Sequence, residues 1–407
     1  MKYDYDIVIV GGGLVGLSLA CALGGSGLRI AVVEPKAFAP AAGPSYDDRT
    51  LALAYGSSRI FASMGLWGAV EARGACAIKR IHISDRGRFG ITRLDAADAG
   101  IAALGYVVEM PVLGAVLQEA VHQLDSVSLL CPATVNAIVL DREPATVLIE
   151  RDGKSRTVSA RLIVGADGGR SRVREAAGIG ARVVDYDQTA VVTTVTPELA
   201  HNHVAYERFT ASGPLALLPM RENRCAVVWS AHRSQVDTIL GWDDQQFLQH
   251  LQERFGDRLG RFIKVGRRQG YPLSLTQVEQ HVRARMVLIG NAAHTVHPVA
   301  GQGFNLGLRD VAVLSQVLVD ATRAGEDIGD MQLLARYMRQ RRRDTQAVTT
   351  FTDGLIRIFS SSFAPLALVR NLGLVVTDLL PPVKRALIRR TSGMSRRLPR
   401  LARGLPL

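Results

Sequence analysis

Tyr5 to Val10 is a short, nearly unbroken apolar run, the pattern of a strand covered on both faces, and Gly11 to Gly16 follows it directly. Apolar residues then recur at Leu14, Leu17, Leu19, Ala20 and Leu23, which predicts a helix opened by the glycine turn. Arg29 to Val33 reads as the next strand. Strand, glycine turn, helix and strand in this order form the first half of a dinucleotide-binding α/β fold. Two similar runs, Leu162 to Ala166 and Met286 to Gly290, each end at a Gly or Asp turn and suit central strands returning to the same sheet from far along the chain. The domain is therefore expected to be discontinuous.

Between those runs the pattern changes to alternation. Val191 to Val195, Val204 to Phe209, Leu215 to Pro219 and Cys225 to Trp229 are separated by polar or Gly/Pro turns and predict an antiparallel sheet, the candidate substrate domain. Helical spacing returns in Phe304 to Arg323, Met331 to Thr350 and Phe363 to Leu380, the last ended by Pro381 and Pro382. No internal repeat or low-complexity tract interrupts this order. The expected division is dinucleotide-binding segments at 1–75, 111–180 and 281–350, substrate-domain segments at 76–110 and 181–280, and C-terminal helices with a tail at 351–407.

A chain of 407 residues, 47% hydrophobic and 21% charged, can bury a large core and is not generally disordered. One catalytic unit of two interleaved domains fits that length. Cys21, Cys76, Cys131 and Cys225 stand apart among apolar neighbours, without metal spacing, which points to a reducing compartment and no metal. The first residues have no basic, apolar and small-residue succession, so a cytoplasmic location is expected. The net charge of +12 gathers toward the end of the chain, where Arg389, Arg390, Arg396, Arg397, Arg400 and Arg403 alternate with Leu387, Ile388, Leu398, Leu401 and Leu405. Aliphatic interleaving gives no stacking platform for bases, which argues against nucleic acid. It suits either peripheral contact with an anionic leaflet of the inner membrane or a solvated face. Phe363 to Leu380 is too short, and too interrupted by Arg370 and Asp378, to span a bilayer.

Gly11-Gly12-Gly13-Leu14-Val15-Gly16 matches G-x-G-x-x-G: a tight turn at Gly11, close backbone approach to a pyrophosphate at Gly13, and close helix packing at Gly16. The helix N-terminus faces the phosphate charge. Glu34 ends the second strand about 20 residues on, where a carboxylate accepts ribose hydroxyls. NAD and FAD share this fingerprint, so later motifs must choose between them. Asp167-Gly168-Gly169-Arg170-Ser171-Arg172-Val173-Arg174 contains D-G-x-x-S-x-x-R, and Gly290-Asn291-Ala292-Ala293-His294 precedes His297-Pro298-Val299-Ala300-Gly301-Gln302-Gly303-Phe304-Asn305-Leu306-Gly307-Leu308-Arg309-Asp310. In the second motif small residues and exposed N–H groups converge at the start of a helix, an arrangement that steadies an anion such as a reduced flavin.

These segments resemble the signatures of group A flavoprotein hydroxylases, and the H-P-x-x-G-Q-G-x-N-x-G-x-x-D form is similar to that of the ubiquinone-biosynthesis and visC-like monooxygenases. The likeness runs over nearly the whole chain. Ile83-Ser84-Asp85-Arg86-Gly87, Phe209-Thr210 with Gly213-Pro214-Leu215-Ala216, and Gly325-Glu326-Asp327 are most similar to the branch that acts on 2-octaprenyl-6-methoxyphenol. The resemblance implies an α/β fold with a Rossmann-like FAD domain of the para-hydroxybenzoate hydroxylase type, interleaved with the antiparallel substrate sheet and followed by helices. It also implies FAD as cofactor, NADH or NADPH and O2 as co-substrates, and a polyprenyl phenol hydroxylated para to its existing hydroxyl, in company with other enzymes of ubiquinone biosynthesis.

Carried residue by residue, it gives Gly11, Gly13, Leu14, Val15, Gly16 and Glu34 to the ADP half of FAD and Arg49 to the neighbourhood of the pyrophosphate. Asp167 serves the fold and the passage of NAD(P)H. Asn291 meets the ribityl chain, and Pro298, Gly301, Gln302, Gly303, Phe304 and Asn305 line the isoalloxazine ring. Asn291 stands where the usual motif has Asp, though an amide still hydrogen-bonds a hydroxyl. His294 and His297 have no third ligand nearby and read as structural or cofactor-facing. No residue is singled out as catalytic. Hydroxylation at another ring position, a flavin-free prenyl-lipid-binding protein, and a halogenase or dehydrogenase remain as alternatives. Of these the halogenase is disfavoured, because no motif supplies its lysine.

Overall fold

The computed structural model describes residues 3–38, 49–140, 143–210, 212–296, 301–360, 364–394 and 398–407. Among them the strands form three sheets. The first has β1 (Tyr5–Val10) at its centre, flanked in parallel by β2 (Ile30–Val33) and β11 (Lys154–Gly165). Outside these lie β8 (Val127–Leu130) and β19 (Met286–Leu288), also parallel, and β18 (Val282–Arg283) at the edge. The expected central strands returned from far along the chain are thus β11 and β19. A hairpin not anticipated from the pattern, β9 (Thr134–Val139) and β10 (Ala145–Arg151), extends β11 antiparallel. Burial alternates only weakly along β9, though regularly over Ala145 to Ile149 of β10.

Three helices pack over this sheet: α1 (Leu14–Leu23), α4 (Met110–His122) and α8 (Gln302–Arg323). Their apolar faces and the strands form one continuous core with Leu17, Leu117 and Leu314 wholly buried. On the other face the short α5 (Arg172–Ala176) packs over a second cluster around Ile163 and Val173.

The nine-stranded sheet contains the expected alternating strands. Its order is β20 (His294–Thr295), β17 (Gln269–Val278), β12 (Ala181–Pro197), β15 (Cys225–His232), β14 (Gly213–Pro219), β13 (Val204–Thr210), β5 (Arg80–Asp85) and β6 (Ile91–Asp95), with β16 (Phe262–Val265) beside β12. The sheet is mixed, because β5 enters from a distant part of the chain and pairs β13 in parallel. One face, with Leu217, Val227 and Trp229, packs against Phe247 and Leu251 of α7 (Asp244–Phe255), beside α6 (Arg233–Gly241). The small third sheet joins β3 (Thr50–Ala54), β7 (Gly105–Glu109) and β4 (Cys76–Ile78). Segment 76–110 is therefore shared between two sheets. After β3 run α2 (Tyr55–Ser63) and α3 (Trp67–Ala72).

Helix α9 spans Met331–Ser360, ten residues beyond the expected Thr350, because Phe351, Leu355 and Phe359 continue an apolar stripe at helical spacing. Helix α10 (Ala364–Leu379) stops before Pro381 as expected, yet Pro381 also starts α11 (Pro381–Thr391). Proline at the first helical position lacks only an N–H that would have had no partner there.

In the C-terminal segment most of the described aliphatic residues turn inward, while Arg389, Arg390 and Arg403 stay exposed. Ile388 and Leu401 are fully buried in the protein, and Leu387 and Leu398 are packed against its cores. Arg400 pairs with Asp320, and the Arg403 carbonyl accepts from Arg59. Alternating arginine and aliphatic residues serve the chain's own interior here. The apolar surface lies instead on α10, where Leu368, Val369, Leu372, Val376 and Leu379 are exposed along one stripe. No helix among the described residues is long and apolar enough to cross a membrane.

Candidate active site

One cavity of ≈ 1430 Å³ runs from the β1–α1 turn to the uncovered face of the nine-stranded sheet. Gly11, Gly13, Leu14, Val15, Glu34, Arg49, Asp167, Asn291, Gly301, Gln302, Gly303, Phe304 and Asn305 all line it. Gly16 stands behind the wall, and Pro298, with His297, lies outside the described residues.

The polar end is built by backbone. A Cβ on Gly16 would sit 2.0 Å from the Gly11 carbonyl oxygen, so only glycine lets α1 start this close to β1. Gly13 precedes α1 in an extended conformation without a side-chain cap, and nothing stands within 4 Å of where its Cβ would be. The first N–H groups of α1 have no intrahelical partner and face open space, the setting that holds a phosphate. Val15 fills the gap between Gly290 and Gly307 and so locks α1 to α8. Glu34 is fixed by the N–H groups of Gly12 at 2.8 Å and Lys36 at 3.1 Å, leaving carboxylate lone pairs for hydroxyl donors. The Arg49 guanidinium lies 5.3 Å above the Tyr271 ring.

The D-G-x-x-S-x-x-R motif resolves into three structural tasks. Asp167 accepts from the N–H groups of Arg172 at 2.7 Å and Val173 at 3.2 Å, and Ser171 caps α5 through the Arg174 N–H at 3.0 Å. Arg174 donates to the carbonyls of Gly169 and Ala292, tying the motif to the Gly290–Ala292 turn. The other Asp167 oxygen, Oδ1, is buried without a partner among the described residues, as expected where a bound group supplies the missing donor.

The start of α8 is held open by Gly301, which takes a left-handed conformation (φ +61°) with the Ala52 Cβ only 2.7 Å from where its own Cβ would be. Asn305, 1% exposed, has its amide fully used. Oδ1 accepts from the Ala54 N–H and the Ser57 hydroxyl, and Nδ2 donates to the Ala52 and Gly301 carbonyls. Asn305 thus fastens β3 to the α8 start. Phe304 stacks on Phe61 with centroids 6.4 Å apart.

Beneath this end lies a buried ionic network. Asp310 accepts from the Gly290 N–H at 3.0 Å, from His294 Nε2 at 2.8 Å and from Arg341 Nε at 2.7 Å, and Arg341 also binds Asp344. Burial alone would raise the Asp310 pKa, but Arg341, His294 and the Gly290 N–H overcome it and hold the carboxyl far below its usual range. His294 is committed to this network.

The other end is apolar. Strand pairing aligns Thr92, Ile83, Glu207, Ala216, Val228 and Val192 in one row across β6, β5, β13, β14, β15 and β12, and all six line the cavity. Phe359 of α9 stacks on Phe209 at 3.6 Å, and Leu374 of α10 closes the side. Glu207 is the only ionisable member of that row. Sequence reading did not single it out, although a charged residue between Ala205 and Phe209 on the inward alternation of a half-buried strand was the available signal.

An FAD binding domain model matches residues 4–352. The ubiquinone hydroxylase UbiL of Rhodospirillum rubrum is 41% identical, over 99% of this chain and 93% of that protein. The 3-demethoxyubiquinol 3-hydroxylase of Escherichia coli is 32% identical, over 96% of this chain and 98% of its own. Among solved structures, p-nitrophenol 4-monooxygenase PnpA from Pseudomonas putida DLL-E4 superposes with a TM-score of 0.80 at 20% identity, covering 98% of this chain and 100% of that one, and so shares the fold.

Proposed function

Because the chain belongs to the FAD binding domain family and is an FAD-dependent hydroxylase like its relatives, we propose that it hydroxylates the ring of a polyprenylated methoxyphenol in ubiquinone biosynthesis, para to the existing hydroxyl. The observation that carries this reading is the single cavity: a dinucleotide-type polar end opens directly into an apolar chamber wide enough for a substituted ring and part of a prenyl chain.

FAD, when bound, supplies the oxygen chemistry, taking two electrons from NADH or NADPH and transferring one atom of O2 to the ring. The chain's own residues do the rest. Glu34 receives the ribose hydroxyls, the α1 start receives the pyrophosphate, and Asp167 and Asn291 offer hydrogen-bonding atoms to the polyol. The N–H groups at the start of α8 favour negative charge on the ring system beside them. The walls from Val192, Ile83 and Leu374 exclude water from the reacting carbon.

The exposed stripe of α10 is the surface for peripheral contact with the bilayer that dissolves such a substrate. Leu374 and Thr377 of the same helix line the cavity, while Arg385, Arg389 and Arg390 of the adjoining α11 are exposed beside the stripe and complement an anionic leaflet.

The test is NAD(P)H oxidation by the FAD-reconstituted protein with and without a short-chain prenyl methoxyphenol, with products identified by mass spectrometry. Stimulated oxidation and a product heavier by one oxygen atom support the proposal, and fragmentation gives the ring position. Bound FAD with no response to any phenol overturns it.

A further inference from the structure

Among the described residues three that bear a carboxyl line the cavity, and they are treated differently. Glu34 and Asp167, at the polar end, are each held by two backbone N–H groups. Glu207 makes no hydrogen bond or ion pair with any described residue. The alternation of β13 turns it inward between Ala205 and Phe209, and the sheet register places Ile83 on one side and Ala216 on the other. Tyr206 and Arg208, its chain neighbours, fall on the opposite alternation, where Tyr206 packs on Phe255 of α7. A small residue opposite a long acidic one leaves the carboxyl room to reach into the chamber.

An isolated carboxyl is an expensive thing to keep in an apolar pocket, and no described residue of the fold compensates it. From α9 the chamber receives Phe351, Leu355, Ile358 and Phe359, all apolar. From α10 it receives Arg370, whose Nε is bound to Asp85 at 2.8 Å, and Thr377, whose hydroxyl donates to the Gly373 carbonyl. From β6 it receives Thr92, whose hydroxyl donates to the Leu374 carbonyl at 2.6 Å. From β17 it receives Tyr271, whose hydroxyl donates to Gln269, with Arg49 above its ring. Among the described residues Glu207 is thus left without a partner, and its carboxyl is open to one that enters the chamber.

We propose that Glu207 is the catalytic base of the reaction, binding the phenolic hydroxyl of the substrate and accepting its proton. This rests on the hydroxylase reading above. The O–H bond of the phenol breaks, an O–H bond forms on the carboxyl, and the electron pair stays on the ring oxygen, from which it enriches the ortho and para carbons. The ring carbon that gains oxygen from O2 then loses its own hydrogen as a proton, which the original ring oxygen takes up as aromaticity returns. The proton taken by Glu207 is released into the water formed from the second oxygen atom, so the overall hydroxylation balances. Burial without a compensating charge pushes the Glu207 pKa up to about 7, which suits a group that must both take and release a proton near neutrality. Anchoring the hydroxyl at a fixed point in the sheet also fixes which ring carbon points toward the polar end.

The test compares the FAD-loaded wild type with Glu207→Gln and Glu207→Asp. Flavin content and thermal denaturation first confirm that the variants are folded. Without nicotinamide, ultraviolet difference spectra report whether a bound short-chain prenyl methoxyphenol is ionised. The expected result is a phenolate band with wild type between pH 7 and 8 that Glu207→Gln abolishes and Glu207→Asp retains in part. In turnover, kcat of Glu207→Gln falls on the order of 100-fold at pH 7.5 with KM little changed. It then climbs with pH toward the phenol's own pKa near ~10, whereas wild type levels off above about 7. A Glu207→Gln protein with the wild-type band and pH profile overturns the proposal, as does an equal loss in both variants without any change of profile. Should the wild type form no product, the hydroxylase reading fails by itself, and the difference spectra still decide whether Glu207 ionises a bound phenol.

Discussion

The two ends of the cavity handle a buried carboxyl in opposite ways. Under the polar end, Asp310 is surrounded by Arg341, His294 and a backbone N–H, and its pKa is driven down. In the apolar end, Glu207 has no partner among the described residues, and burial pushes its pKa up to about 7. The first arrangement produces rigidity: three segments distant in sequence converge on one charge and hold the Gly290–Ala292 turn against α8. The second gives up local stability and leaves a group ready to exchange a proton. A carboxyl's partners, more than its burial, separate a structural role from a chemical one.

The largest effect that could break this contrast is removal of Asp310. Asp310→Ala leaves Arg341 buried with only part of its compensation and costs on the order of 3–5 kcal/mol, read by chemical denaturation. A loss below about 1 kcal/mol would show that the network does not carry the polar end. Asp310 also stabilises only while ionised, so its contribution is present above its unfolded pKa and is lost as pH falls through the lower folded value.

Glu207 has the reverse sign. Its folded pKa lies above the ordinary 4.5, so its contribution to stability is fully present below pH 4.5 and is lost as pH rises through about 7. Glu207→Gln is therefore expected to match wild type near pH 4.5 and to be more stable by up to about 3 kcal/mol at pH 8. A difference independent of pH would mean that the carboxyl is compensated after all.

Gly16→Ala probes the backbone construction of the polar end. With 2.0 Å available, α1 must shift from β1, costing about 1–3 kcal/mol and lowering FAD retention on gel filtration, with the apolar chamber left intact. The smallest effect concerns the surface beside that chamber. Leu372→Asp with Val376→Asp should reduce co-flotation with anionic vesicles at least ~10-fold without altering bound flavin, since both side chains are about half exposed. Unchanged flotation would remove α10 as the membrane face.

The glycine motif, Glu34 and the D-G-x-x-S-x-x-R segment were legible because each meets a local stereochemical demand, and local demands leave fixed spacings in the chain. The end of α9 was not: its last turns are helical because Phe351, Leu355 and Phe359 cover a cavity whose other wall comes from β13. Asn305 was marked as cofactor-facing, and its amide proves to be fully used in holding β3. The arginine-rich tail carried an apolar pattern whose destination, the protein's own core, depends on which surfaces the fold leaves open.

By itself, then, the sequence determined the turn where β1 meets α1, the discontinuous parallel sheet and the alternating strands, since backbone geometry and residue periodicity act over a few neighbouring positions, while the choice of FAD rested on the resemblance of its motifs to the flavoprotein hydroxylases. Only the tertiary structure decided that Thr92, Ile83, Glu207, Ala216, Val228 and Val192 share one row. Those residues lie on six strands joined by three hairpin pairings and two long-range ones, of which β5 with β13 is parallel, and whether a charge in such a row finds a partner depends on everything else that packs around it.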